Sequence, residues 1–219
     1  MVIIITAPPR MGKSTLIKKI SANPSFAMAS GFVTEEVVVF TLKSKEKERD
    51  GFKMINVTDE TSELIASKVF PESRYKIGSY FVYPEKVSNM LSYVEMRDVM
   101  LVDEVGKMQN FSPELKNFIP KLVTKSKFVI ITVTEDDSVN LAKELRENKE
   151  YLLIRLTESN RDWLDLILVH LKKRAYRYNE MSVAKKIAFN EVISKILGSE
   201  KVSTEKVLYA INYHLFFLG

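Results

Sequence analysis

The chain reads as an α/β protein, a three-layer sandwich in which a mainly parallel sheet lies between two layers of helix. Three observations carry this. Residues 2–6 (VIIIT), 99–102 (VMLV) and 128–133 (FVIITV) are short, apolar and rich in β-branched side chains, as buried parallel strands are. Stretches with helical signals alternate with them. The first run also leads through a turn into GKST, so strand, loop and helix start occur in the order a phosphate-binding loop requires.

In that loop, Ala7-Pro8-Pro9-Arg10-Met11 forms the turn and Gly12-Lys13-Ser14-Thr15 opens a helix carrying Leu16, Ile17 and Ile20. Successive backbone N–H groups at a helix N-terminus cradle an anion. Lys13 adds a cation for the β- and γ-phosphates, and the Ser14 hydroxyl is placed to ligate Mg²⁺. The first glycine of the usual pattern is Ala7 here. Alanine tolerates positive φ poorly, which predicts a rearranged start to the loop. Pro8 and Pro9 restrict the unfolded loop and offset this. Arg10 reads either as a phosphate contact or as a solvated side chain.

The 99–102 run ends in Asp103-Glu104. Carboxylates at the C-terminal edge of a buried parallel strand stand where such sheets bind ligands. Asp103 is placed to hold Mg²⁺, directly or through water, and Glu104 to polarise a water for attack on the γ-phosphate.

Composition sets outer bounds. The 219 residues suffice for one domain with an appendage, and 46% hydrophobic with 28% charged residues is a globular balance. No apolar stretch reaches the roughly 20 residues of a membrane span. There is no cysteine and there are only two histidines, His170 and His214, which excludes disulfides, thiolate metal sites and a His-rich metal site. A cytoplasmic location fits this composition. The net charge is +5, and residues 165–219 hold nine Lys/Arg against five Asp/Glu, so the basic excess sits mainly in the tail.

Between the two motifs, residues 30–42 and 51–57 predict the strands of an inserted β-hairpin, with the charged run 43–50 (KSKEKERD) as its exposed turn. Asp59-Glu60-Thr61-Ser62 reads as a helix start, with Leu64, Ile65 and Val69 on a short helix. Pro84 and Glu85 open a helix with Val87, Met90, Leu91 and Val94 on one face. Ser112-Pro113-Glu114 predicts a capped helix start. The 128–133 strand ends near Thr132 and Thr134, which read as caps for the 138–147 helix or as sensors of the γ-phosphate. A strand at 151–156 precedes a helix running through residue 173.

Beyond the loop, five segments resemble the THEP1-type nucleoside-triphosphatases, a P-loop NTPase family: Gly31-Phe32-Val33-Thr34-Glu35-Glu36-Val37, Arg49-Asp50-Gly51-Phe52, Gly78-Ser79-Tyr80-Phe81-Val82, Asp103-Glu104-Val105-Gly106-Lys107-Met108 and Asn160-Arg161-Asp162. Together they span residues 1–164. The resemblance implies a RecA-like or ASCE-like core and Mg²⁺-dependent hydrolysis of nucleoside triphosphates to diphosphate and phosphate, with broad base selectivity. It implies Glu104 as water activator, and Arg49, Asn160 and Arg161 near the nucleotide. Val38 and Gln109 depart from the family pattern, which often has Arg and Glu there.

Residues 165–219 form a basic helical extension beyond the nucleotide domain at 1–164. Val183, Ala184, Ile187, Ala188, Val192, Ile196 and Leu197 fit one helical face, and Val207, Leu208, Ile211, Leu215 and Leu218 another. Such helices pack on the core. Lys172-Lys173-Arg174-Ala175-Tyr176-Arg177-Tyr178 is basic and aromatic, so a nucleic-acid or protein partner is the competing role for the tail. Two further readings stand beside hydrolysis. One is a kinase passing the γ-phosphate to an acceptor hydroxyl of a nucleotide or polynucleotide. The other is a nucleotide-dependent module that binds nucleic acid or protein.

Overall fold

The structure, a computed structural model, describes residues 1–41, 46–71, 73–199 and 202–218. In chain order the elements are β1 (Val2–Thr6), α1 (Lys13–Ser21), β2 (Ser30–Thr41), β3 (Glu46–Asn56), β4 (Ser62–Ser67), β5 (Tyr75–Ile77), β6 (Tyr80–Val82), α2 (Pro84–Tyr93), β7 (Val99–Val105), α3 (Pro113–Lys125), β8 (Phe128–Val133), α4 (Asn140–Glu147), β9 (Leu152–Arg155), α5 (Leu164–Glu180), α6 (Val183–Leu197) and α7 (Thr204–Leu218). The strands form one sheet in the order β5-β6-β4-β3-β2-β7-β8-β1-β9. From β2 to β9 every pairing is parallel; from β2 outward to β5 every pairing is antiparallel.

Strand alternation builds the two cores. Ile3 and Ile5 of β1, Leu101 of β7, and Phe128 and Ile130 of β8 face one layer, where Leu16, Ile17 and Ile20 of α1 meet α5, α6 and α7. Val2, Ile4, Met100, Val102, Val129 and Ile131 face the other, against α2, α3 and α4. Ile3, Ile4 and Ile5 are fully enclosed, each removal from water contributing roughly 1.5–3 kcal/mol.

The antiparallel half is anchored at one point. Ser30, Gly31 and Phe32 of β2 pair with Met100, Leu101 and Val102 of β7, and β2 then continues outward as the first strand of the hairpin with β3. Gly31 has φ +129°, and a Cβ there would stand 1.8 Å from the Leu101 carbonyl oxygen. Only glycine permits this approach.

The helix expected after residue 59 is instead strand β4, hydrogen-bonded to β3 and β6, with Ile65 and Ala66 buried and Val69 exposed. Sheet pairing overrides the local helix-start signal there. Of the expected hairpin turn 43–50, residues 43–45 lie outside the described residues, and residues 46–50 are strand instead, the first part of β3, where pairing with β2 overrides their charged, turn-like composition. The α3 start falls where expected, but Ser112 does not cap it; its hydroxyl bonds Ser88 and Glu114 instead.

The tail packs on the core. Phe189, Ile193 and Leu197 of α6 and Val207, Ile211 and Leu215 of α7 are buried in the same cluster as Ile3 and Ile5 of β1. The buried stripe of α6 is not the expected one: Val183 is exposed, and Phe189, Ile193 and Leu197 at i, i+4 and i+8 face inward. That helix is apolar around much of its circumference, so periodicity alone does not choose the face. The α5 helix continues to Glu180, seven residues past its expected end. Among the described residues no helix is long and apolar enough to cross a membrane.

Candidate active site at the carboxyl edge of the sheet

The loop after β1 turns into α1 through Gly12, whose φ of 103° is left-handed. The other positive φ in the loop falls on Arg10, at 67°. Ala7 keeps an ordinary backbone conformation and is buried. The missing glycine therefore causes no strain at the start of the loop.

Lys13 reaches back across the loop. Its Nζ donates to the Ala7 carbonyl at 3.0 Å and lies 3.6 Å from Glu104 Oε1. Ser14 hydrogen-bonds Asp103. Two residues from the start of α1 and two from the end of β7 thus meet, although about ninety positions separate them in sequence. The β7–β8 register shifts between Val102 and Val105, directly at the two acids. Such a bulge re-aims side chains at a sheet rim.

Asp103 is fully buried and held on several sides. Thr132 Oγ1 donates to Oδ1 at 2.5 Å, and the Thr34 backbone N–H donates to Oδ2 at 3.4 Å. The Thr34 hydroxyl donates to the Asp103 carbonyl and accepts from Gln109 Nε2 at 3.3 Å. Burial pushes the Asp103 carboxyl above the usual aspartate range, against the hydrogen bonds from Thr132, Ser14 and Thr34 and the charge of Lys13. Burial likewise raises Glu104; Lys13 opposes it, and the neighbouring Asp103 adds to it.

These groups lie in or beside a cavity of about 720 Å³. Ala7, Pro9, Arg10, Gly12, Lys13, Ser14 and Thr15 line one part, Glu104 and Gly106 to Gln109 contribute a second, and Glu35, Glu36, Arg49, Phe52 and Ile77 a third. Pro8 and Met11 belong to the loop but not to the lining, and Met11 packs on the core.

Two expectations are corrected here. Asn160 is fully buried; its amide donates to the Arg155 and Leu197 carbonyls and its oxygen accepts from the Thr157 N–H. It ties the loop after β9 to the end of α6 and does not line the cavity. Arg161 is half-exposed beside Asp162 and does not line the cavity, because its loop lies on the far side of β1 from Glu104. Thr134 does line the cavity, but it caps no helix. Its hydroxyl accepts from the Asp136 N–H, and α4 starts without a side-chain cap. Thr34 and Gln109 were missed as supports of Asp103. Thr34 lay in plain view inside GFVTEEV, but no local pattern reveals a hydrogen bond to a carboxylate 69 positions away.

A phosphate loop after the first strand, an acid pair on a strand two places along the sheet, and a further strand between them define a P-loop NTPase core. The comparisons with known proteins agree. The chain belongs to the NTPase family, whose profile (NTPase_1) matches residues 2–169. It is 36% identical over 173 residues to the nucleoside-triphosphatase THEP1 of Aquifex aeolicus, covering 74% of this chain and 93% of that protein. To the THEP1 of Thermotoga maritima it is 32% identical over 169 residues, covering 75% and 91%. The crystal structure of THEP1 from Aquifex aeolicus superposes with a TM-score of 0.66 at 30% identity, over 80% of this chain and all of that one.

Proposed function

We propose that the chain hydrolyses nucleoside triphosphates to diphosphate and phosphate, with Glu104 polarising the attacking water and Lys13 neutralising charge on the transferred group. One observation carries this reading: the Lys13–Glu104 pair sits beside the Ser14–Asp103 pair at the mouth of the phosphate loop. Backbone groups of residues 7–15 hold the phosphates. These are common to all nucleoside triphosphates, which supports broad base selectivity.

The donor set also suits Mg²⁺. A buried carboxylate hydrogen-bonded to a hydroxyl is an all-oxygen pair, and Mg²⁺ binds through one or two such groups together with substrate phosphates. Ser14 and Asp103 would hold it. When bound it neutralises the β- and γ-phosphate oxygens. The nucleoside then leaves toward β9. Residues 1–164 carry this chemistry in the cytoplasm, and residues 165–219 form a helical extension.

The test is phosphate release from a Mg²⁺–nucleotide panel by the wild type and by Glu104→Gln. The variant keeps nucleotide binding and loses about 10²–10⁴-fold in turnover. Equal turnover removes Glu104 from the mechanism. Transfer to an acceptor hydroxyl would use the same groups and would need a second ligand beside Glu104.

A further inference from the structure

The cavity continues past Glu104. The phosphate loop follows β1, Glu104 ends β7 two strands away, and β2 and β3 come next beyond β7. A polyphosphate held by the loop, with its terminal group at Glu104, has its nucleoside on the opposite side. With the terminal phosphate at Glu104, the hairpin end of the cavity lies beyond it.

That end is a formed surface. Arg49 and Phe52 of β3, Glu36 of β2 and Ile77 of β5 line it. The Arg49 guanidinium sits 5.5 Å from the Phe52 ring centroid and pairs with Glu36. Its Nε is enclosed and has no hydrogen-bond partner among the described residues. Tyr80 packs edge-on against Phe52 at 5.3 Å between centroids and fixes the ring. An aromatic wall, a planar cation and a carboxylate together suit a flat π-system that also carries hydroxyl groups.

We propose that the hairpin end of the cavity is a second subsite that binds a nucleoside, with or without a 5′-phosphate, by stacking it on the Arg49–Phe52 pair. This rests on the reading that the terminal phosphate lies at Glu104. An occupant stands between Glu104 and solvent and governs which nucleophile reaches the phosphate.

The full chain, saturated with Mg²⁺ and a non-hydrolysable ATP analogue, is titrated calorimetrically with adenosine, guanosine, cytidine, uridine and their 5′-monophosphates. At least one probe binds saturably. Phe52→Ala weakens that binding about tenfold, the worth of one stacked base, and shifts affinity for the ATP analogue less than about twofold. Arg49→Lys, which keeps the charge and loses the planar group, gives a comparable loss without hollowing the site. The proposal is overturned by no saturable heat at roughly millimolar probe. It is equally overturned if both variants weaken the ATP analogue as much as the probe, which makes this end part of the triphosphate's own site. Phosphate release by the wild type without probe is measured alongside. Its absence counts against hydrolysis, so the two failures are separable.

Discussion

Lys13 Nζ lies between the Ala7 carbonyl, at 3.0 Å, and Glu104 Oε1, at 3.6 Å. On the proposed mechanism, the cation that meets the phosphates is thus held in the free protein by the acid assigned to activate water. On that mechanism, substrate phosphates compete for the ammonium and leave Glu104 free to accept a proton.

The pH profile follows. Burial raises Glu104 above an ordinary glutamate, and the Asp103 charge adds to this. A general base works only when ionised, so kcat/KM falls as pH drops through that raised value and levels off above it. The acid limb therefore sits at higher pH than an unperturbed glutamate would give. A profile flat from pH 4 to 8, or an identical limb in Glu104→Gln, contradicts the assignment.

Thr132→Val removes the donor at Asp103 Oδ1 with little change in volume. A buried acceptor loses its partner, which costs about 1–3 kcal/mol. Chemical denaturation of the ligand-free protein measures the loss. Weaker Mg²⁺-dependent nucleotide binding accompanies it, since Asp103 loses its fixed orientation.

Gly31→Ala places a Cβ 1.8 Å from the Leu101 carbonyl oxygen at φ +129°. The β2–β7 junction must open, at a cost of roughly 4 kcal/mol or more. Circular dichroism melts would show a marginal or unfolded protein. An unchanged melting temperature would mean that the junction is not as described.

Ile211→Ala tests whether the tail shares the core. Ile211 is fully buried in the cluster that also holds Ile3 and Ile5. Its truncation costs about 2–5 kcal/mol, read as a shift of one cooperative unfolding transition. A separate low-temperature transition, with the main one unmoved, would show the tail melting alone.

Contiguous patterns were legible: the VIIIT strand, the GKST helix start, the acids closing 99–104 and the first hairpin arm form where expected, while the second arm starts at Glu46, inside the expected turn. Residues 59–69 were misread because β4 owes its form to β3 and β6 on either side, and no local signal reports a partner strand. The inward face of α6 was misread because that helix is apolar around much of its girth. Asn160 carried a motif match, yet its amide closes a loop away from the cavity lining.

The sequence by itself determined the phosphate loop, the acid pair and the alternation of strand and helix. Each depends on residues within a few positions of one another, where backbone preference and side-chain periodicity act. Only the tertiary structure decided that Thr34, Thr132 and Gln109 support Asp103, that Arg49 and Phe52 face the cavity, and that Arg161 does not. Those outcomes depend on strand order, which puts β8 between the two motifs and the hairpin beyond them. Strand order arises from burying both faces of the whole sheet at once, a condition no single segment contains.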